Sequence, residues 1–273
     1  MNKGQIILVV VAVLAVVGLY SLPKVVVDND SDQGAEAFMS PDPEQGSANH
    51  SSSEIPTEMI PQVNKWRSAL VVNNEITDYE EALDSLMSVF IRINKYDSAA
   101  HYAELFASKF NTVEHWQKAG DAYFEAFTFA LDEQKVRLLG EKTRETYEKV
   151  LEAQPDNFDV QHNVAMTYLS TAGPMQGIMM LRGIIEKDPS NMKALMSMGR
   201  MSIQTGQFEN GVDRFESLVS YYPDNAEGNF FLGVCYYETG QLVKAQTQFE
   251  KVKKLDAAPQ IVTAADEYLE RIK

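Results

Sequence analysis

The side chains able to do chemistry are few and scattered. The histidines are His50, His101, His115 and His162, and none is spaced from another as two ligands on one helix face. No glycine-rich phosphate loop, nucleophile elbow or paired-carboxylate motif occurs, so the chain reads as non-catalytic, with no metal and no cofactor. Asp28, Asp30 and Asp32 alternate as in a calcium loop, but the glycine falls one place late at Gly34 and Met39 stands where a bidentate Glu belongs. Cys235 is the only cysteine, so no intrachain disulfide exists; beside Val234 and Tyr236, with nothing basic near, it reads as a small buried apolar residue. Asn49-His50-Ser51 has the form of a glycosylation sequon, which alone carries no weight.

Chemistry of this kind leaves binding, and the elements that would position a binding surface are written as a repeat. Pro155, Pro189 and Pro223 are 34 residues apart, as are Asn157, Asn191 and Asn225. Gly199 and Gly233 keep the interval, with Gly206 and Gly240, Phe215 and Phe249, and Tyr168, Ser202 and Tyr236. A period of this length marks helix-turn-helix units. Within one unit, Leu195, Met198, Gly199, Ser202 and Ile203 share a stripe of a first helix. Gly206 marks the turn, and Phe208, Val212, Phe215, Leu218 and Val219 mark a second helix. A small residue, Gly199, Gly233 or Ala165, lets the paired helices approach closely. Neither helix can hide its apolar stripe alone, so neighbouring units must stack.

On these residues the chain resembles the tetratricopeptide repeat family. The unit from Ala226 carries Leu232-Gly233, Tyr236, Gly240, Ala245 and Phe249 at the family's positions, and departs with Val252 for Ala and a late proline at Pro259. The resemblance implies an all-α solenoid whose first helices line a groove for a protein or peptide partner. Carried over position by position, that groove presents Asp159, His162, Asn163, Met166 and Leu169, then Lys193, Met196, Ser197, Arg200 and Gln204, then Phe230, Val234, Tyr237 and Glu238. Some family members clamp a terminal carboxylate with two Lys, two Asn and an Arg. Here Asn163 and Lys193 occupy two of those places, while Gln117, Asp121 and Ser197 replace the other three; the reading is either capture of a carboxylate by Lys193, Arg200 and Asn163, or solvated charges balancing local acid.

The rest of the chain frames this solenoid. Its 273 residues are 45% hydrophobic with a net charge of −15, enough for a sizeable core and too acidic for a phosphate backbone, so nucleic acid is not an expected partner. Residues 1–27 read as an N-terminal membrane anchor: from Ile6 to Leu22 no charge interrupts the span, and Lys3 and Lys24 flank it. A cleaved signal peptide is the alternative, with Val16-Val17-Gly18 as a marginal site. Lys3 and the amino group favour a cytoplasmic N-terminus, placing the repeats on the extracytoplasmic side of a cell membrane. Residues 28–57 carry no Lys or Arg and little apolar bulk, and read as a disordered acidic tether with a reach on the order of 30 Å.

Residues 58–273 form the expected repeat domain. Ile60, Val63, Leu70 and Val71 suggest a first helix, and a degenerate repeat at about 78–112 follows, with Leu83, Leu86, Val89, Phe90 and Ile93, then Ala99, Tyr102, Ala103 and Phe106. The repeat at about 113–157 exceeds the regular glycine-to-proline spacing by 11 residues, about three helical turns, which lengthens both helices without changing their stripes. That hairpin, with Arg137, Glu141, Arg144 and Glu145, is a docking arm or merely an elongated pair. Regular repeats are expected at 158–191, 192–225 and 226–259, and a capping helix at 260–272. The leading function is a membrane-anchored scaffold or adaptor; the alternative is a structural subunit of a homo-oligomer or envelope complex.

Overall fold

The computed structural model describes residues 55–72, 76–171, 173–255 and 257–272. The apolar span 6–22, the aspartates at 28–32 and the sequon at Asn49 lie outside the described residues. Among the described residues there are twelve α-helices and no strand, and no helix is long and apolar enough to cross a membrane.

In chain order these are α1 (Ile60–Val72), α2 (Ile76–Arg92), α3 (Tyr96–Phe110), α4 (Val113–Phe129), α5 (Glu133–Ala153), α6 (Phe158–Leu169), α7 (Pro174–Lys187), α8 (Met192–Gln204), α9 (Phe208–Tyr221), α10 (Ala226–Glu238), α11 (Leu242–Val252) and α12 (Pro259–Ile272). Each packs on its sequence neighbour, and α4, α6, α8, α10 and α12 also touch one another in that order. Those alternate helices therefore make one layer, the layer of first helices, with α5, α7, α9 and α11 behind it.

The repeated residues have local reasons. Asn157, Asn191 and Asn225 are N-caps: each side-chain oxygen accepts a hydrogen bond from the backbone N–H three residues on, at Val160, Ala194 and Gly228, over 3.2, 3.1 and 2.7 Å. Each satisfies a donor that the first turn would otherwise leave without a partner. Gly206 and Gly240 stand at φ +69° and +75°, a left-handed turn that L side chains rarely adopt. In the sequence, these asparagines sit where a second helix ends; in the fold their work is to start the next first helix.

Packing within a pair follows from small against large. A Cβ on Gly199 would lie 2.5 Å from Cζ of Phe215, and one on Gly233 would lie 2.7 Å from Cε1 of Phe249. Phe215, Phe249 and Tyr147 are fully buried. Burying such a ring contributes on the order of 2 kcal/mol, and the glycine is what lets the ring reach the facing backbone. Gly120 meets Tyr147 in the same way across α4 and α5. Those two residues are separated by 27 positions, where Gly199 and Phe215 are separated by 16. The extra residues are helical: α4 has 17 residues and α5 has 21, against 12 to 14 in α6 to α10.

One stripe residue, Val71, differs from expectation, and Cys235 agrees with it. Leu70 is buried in the N-terminal cluster, but Val71, one position on and so off the packed face of α1, is 83% exposed. Cys235 is fully buried among Val212, Leu232 and Phe249, and burial, aided by Glu238, pushes its thiol up to about 12; it packs as an apolar residue.

Candidate functional site

The layer of first helices brings together most of the residues singled out from the sequence, and it wires them to one another. Lys193 on α8 and Asp159 on α6 pair at 2.8 Å across neighbouring repeats. Arg200 on α8 pairs with Glu227 on α10, and its guanidinium lies 5.3 Å from the ring centre of Phe231. All four charged groups stay substantially exposed, so each pair is worth well under about 1 kcal/mol and opens at little cost.

A second chain of contacts runs through half-buried groups. His162 Nε2 is 2.9 Å from Oγ of Ser197, and Asn163 donates to the Tyr147 hydroxyl at 3.0 Å. Tyr147 in turn donates to Oδ1 of Asp121 at 2.5 Å. Burial lowers the His162 pKa, so the neutral imidazole is favoured; Asn163 and Asp159 oppose this, while Lys193 adds to it. Burial and the carboxylate of Asp121 both hold the Tyr147 hydroxyl protonated. Desolvation raises the Asp121 carboxyl, against the pull of the Tyr147 hydrogen bond and of Lys193.

The five positions of the family's carboxylate clamp are thus engaged internally. Gln117 accepts from Asn157 at 3.4 Å, Asp121 holds Tyr147, Asn163 reaches Tyr147, Ser197 meets His162, and Lys193 meets Asp159. A partner carboxylate arriving at Lys193 would have to displace Asp159.

The C-terminal third of the surface differs from the sequence reading. Val234 is buried, at 8% exposure, in the cluster with Val212 and Tyr236; it is core, because the whole of α10 lies between α8, α9, α11 and α12. Phe230 and Tyr237 are only half-buried, but both meet Tyr268 of α12, with ring centres 6.2 and 5.2 Å apart. The capping helix thus takes part of the aromatic surface that the carried-over positions offer to a partner. Leu169 packs inward, its Cγ only 2.8 Å from where a Cβ on Gly177 would lie. Met166 and Met196 are half-buried, and Gln204 is exposed.

Tyr147, Asp121 and Glu227 make contacts with the expected groove residues and with one another that first-helix positions alone did not pair. One signal for such contacts was present: Asp84 and Lys118, like Asp159 and Lys193, are opposite charges one period apart, and both pairs touch. Residues one repeat apart on the first helices are spatial neighbours, so complementary charges at that interval are inter-repeat pairs. Among the described residues no group of three or more His, Cys, Asp or Glu side chains could hold a metal ion.

Residues 202–265 match the family model for the tetratricopeptide repeat. No curated protein matches the chain. Among solved structures, YrrB, described as a TPR protein with an unusual peptide-binding site, is 15% identical, covering 75% of this chain and 99% of its own, with a TM-score of 0.46. MamA is 15% identical over 62% of this chain and 93% of its own, with a TM-score of 0.49. MamA residues 41 to the end from Desulfovibrio magneticus RS-1 are 17% identical over 64% of this chain and 94% of their own, again with a TM-score of 0.49. Tetratricopeptide repeats are thus supported over residues 202–265, from the end of α8 through α9, α10 and α11 into α12, within a fold that is all-helical among the described residues.

Proposed function

We propose that this protein is a non-catalytic scaffold that binds an extended or helical segment of a partner protein along its layer of first helices, and that residues 1–27 anchor it in a cell membrane with the repeats on the extracytoplasmic side. The observation that carries the binding reading is the exposed ladder of Asp159, Lys193, Arg200 and Glu227, whose inter-repeat pairs are weak enough to exchange for a partner's charges. The wired chain from Ser197 to Asp121 beneath it holds the helices in register, so the ladder is presented on a preorganised support.

Crosslinking pull-down of the intact chain from its native cells, beside Lys193→Glu with Arg200→Glu, tests this. A partner lost only in the double variant, with unchanged melting, supports the reading; a partner set indifferent to the mutations overturns it. The alternative, a structural subunit of a homo-oligomer, draws on apolar side chains left open, Leu131 between α4 and α5 fully exposed and Val243 in the first turn of α11 at 81%. Self-crosslinks alone in the same experiment favour it.

A further inference from the structure

Away from the ladder, a cleft of about 560 Å³ opens between the second helices α5 and α7, with α6 at its floor. Its α5 wall carries Glu141, Glu145, Glu148 and Glu152, spaced by four, three and four, so all point along one helix face. All four are exposed; Glu145 and Glu152 make only loose pairs with Lys142 and Lys149, at 3.6 and 3.9 Å. Arg144, the cation in the lining, is engaged at the floor: it donates to Thr167 at 3.2 Å and lies 4.6 Å over the ring of Tyr168. The floor is soft and apolar, made by Leu151, Val164, Tyr168 and Met180. Beside Met180 on α7, Met175 and Met179 are each 65% exposed, an unusual amount of flexible apolar surface to leave in water.

We infer that this cleft docks a basic amphipathic helix of a partner protein, its apolar stripe on Tyr168 and Met180 and its Lys or Arg side chains against the glutamate row. Length and charge select this occupant. The four carboxylates span twelve residues of α5, about 16 Å of helix, so a compact ligand meets two of them and a helix of three turns laid alongside meets all four. Four glutamates facing one engaged arginine exclude an acidic segment and favour a cationic one. Methionine and an aromatic ring suit a helix laid in a groove, because they adapt to the side chains that arrive. The row flanks Tyr147, from six residues before it to five after, within the part of α5 that a regular second helix such as α9 also has around Phe215; the added turns of α5 precede it. The inference does not rest on the reading of the first-helix ladder.

The test uses a fluorescein-labelled peptide of about 18 residues, five helical turns of Leu on one face and Lys on the other, against the full chain, with an otherwise identical peptide carrying Glu for Lys. The Lys peptide is expected to bind and to weaken with added salt, and the Glu peptide not to bind. Glu145→Gln, Glu148→Gln and Glu152→Gln together are expected to weaken binding at least roughly tenfold, while Glu209→Gln, Asp213→Asn and Asp224→Asn, equally exposed but remote, leave it within about twofold. A benzoylphenylalanine at position 179 is expected to crosslink to the peptide. Equal loss in the two triple variants, undiminished binding in the first, or loss in Lys193→Glu with Arg200→Glu would each overturn the cleft as the site. Self-association of the unmodified chain that disappears in the first triple variant would make the occupant a second copy and overturn the partner assignment.

Discussion

Gly199 faces the ring of Phe215 so closely that a single methyl group would sit 2.5 Å from its Cζ. That relationship recurs at Gly233 and Phe249, and at Gly120 and Tyr147 despite the longer hairpin. It sets the distance between the paired helices in these three hairpins.

Gly199→Ala is therefore expected to destabilise the domain by about 1–3 kcal/mol, since the ring is fully buried and cannot swing to solvent. Urea unfolding of the variant measures it. Adding Phe215→Leu to make room is expected to recover part of the loss, a coupling that independent sites would not show.

Asn191→Ala removes the cap of α8 and is expected to cost about 1 kcal/mol, with Asn225→Ala costing a similar amount at α10. Asn191→Asp keeps an acceptor and is expected to stay near the wild-type stability. Thermal melts of the three variants compare them; equal losses for Ala and Asp would show that the side-chain acceptor is not what the position supplies.

Asp159→Asn frees Lys193 from its inter-repeat partner. Because the pair is exposed, stability is expected to change by less than about 1 kcal/mol. For a partner that presents a carboxylate to Lys193, affinity is expected to rise in Asp159→Asn and fall in Lys193→Glu. Titration of any captured partner against both variants checks the pair of signs, and a fall in both would remove Lys193 as the contact.

His162 gives a pH dependence with a defined sign. Burial keeps its folded pKa below the ordinary 6.5, so below that value the unfolded chain binds the proton first. Its contribution to stability is thus present above about pH 6.5 and is lost as pH falls through that value toward the folded pKa. His101 is lowered in the same direction, so the comparison must be with His162→Gln: the variant is expected to lose less stability than the wild type between pH 7 and 5. Identical slopes in denaturant melts at the two pH values would place His162 outside this effect.

The repeat architecture was legible in the chain because its causes are local and periodic. Capping asparagines, left-handed turn glycines and small-against-large pairs each need one residue type at one place, and stacking repeats the requirement every 34 residues. The helical lengthening of the α4–α5 hairpin was legible for the same reason, since whole added turns keep the apolar stripes in phase.

The surface was legible only in part. Position within a repeat put Lys193, Arg200, His162 and Asn163 on first helices, but it does not say what faces each of them, and the tertiary fold gave each a partner: Asp159, Glu227, Ser197 and Tyr147. Nor does a position say whether it is near a solenoid end. Val234 is buried, and Phe230 and Tyr237 meet Tyr268, because the last repeat has a capping helix where an inner repeat has another copy of itself. The cleft between α5 and α7 belongs to the tertiary structure altogether. Its wall and floor come from three helices, and only the placing of α5 and α7 on either side of α6 brings a row of glutamates against an apolar floor.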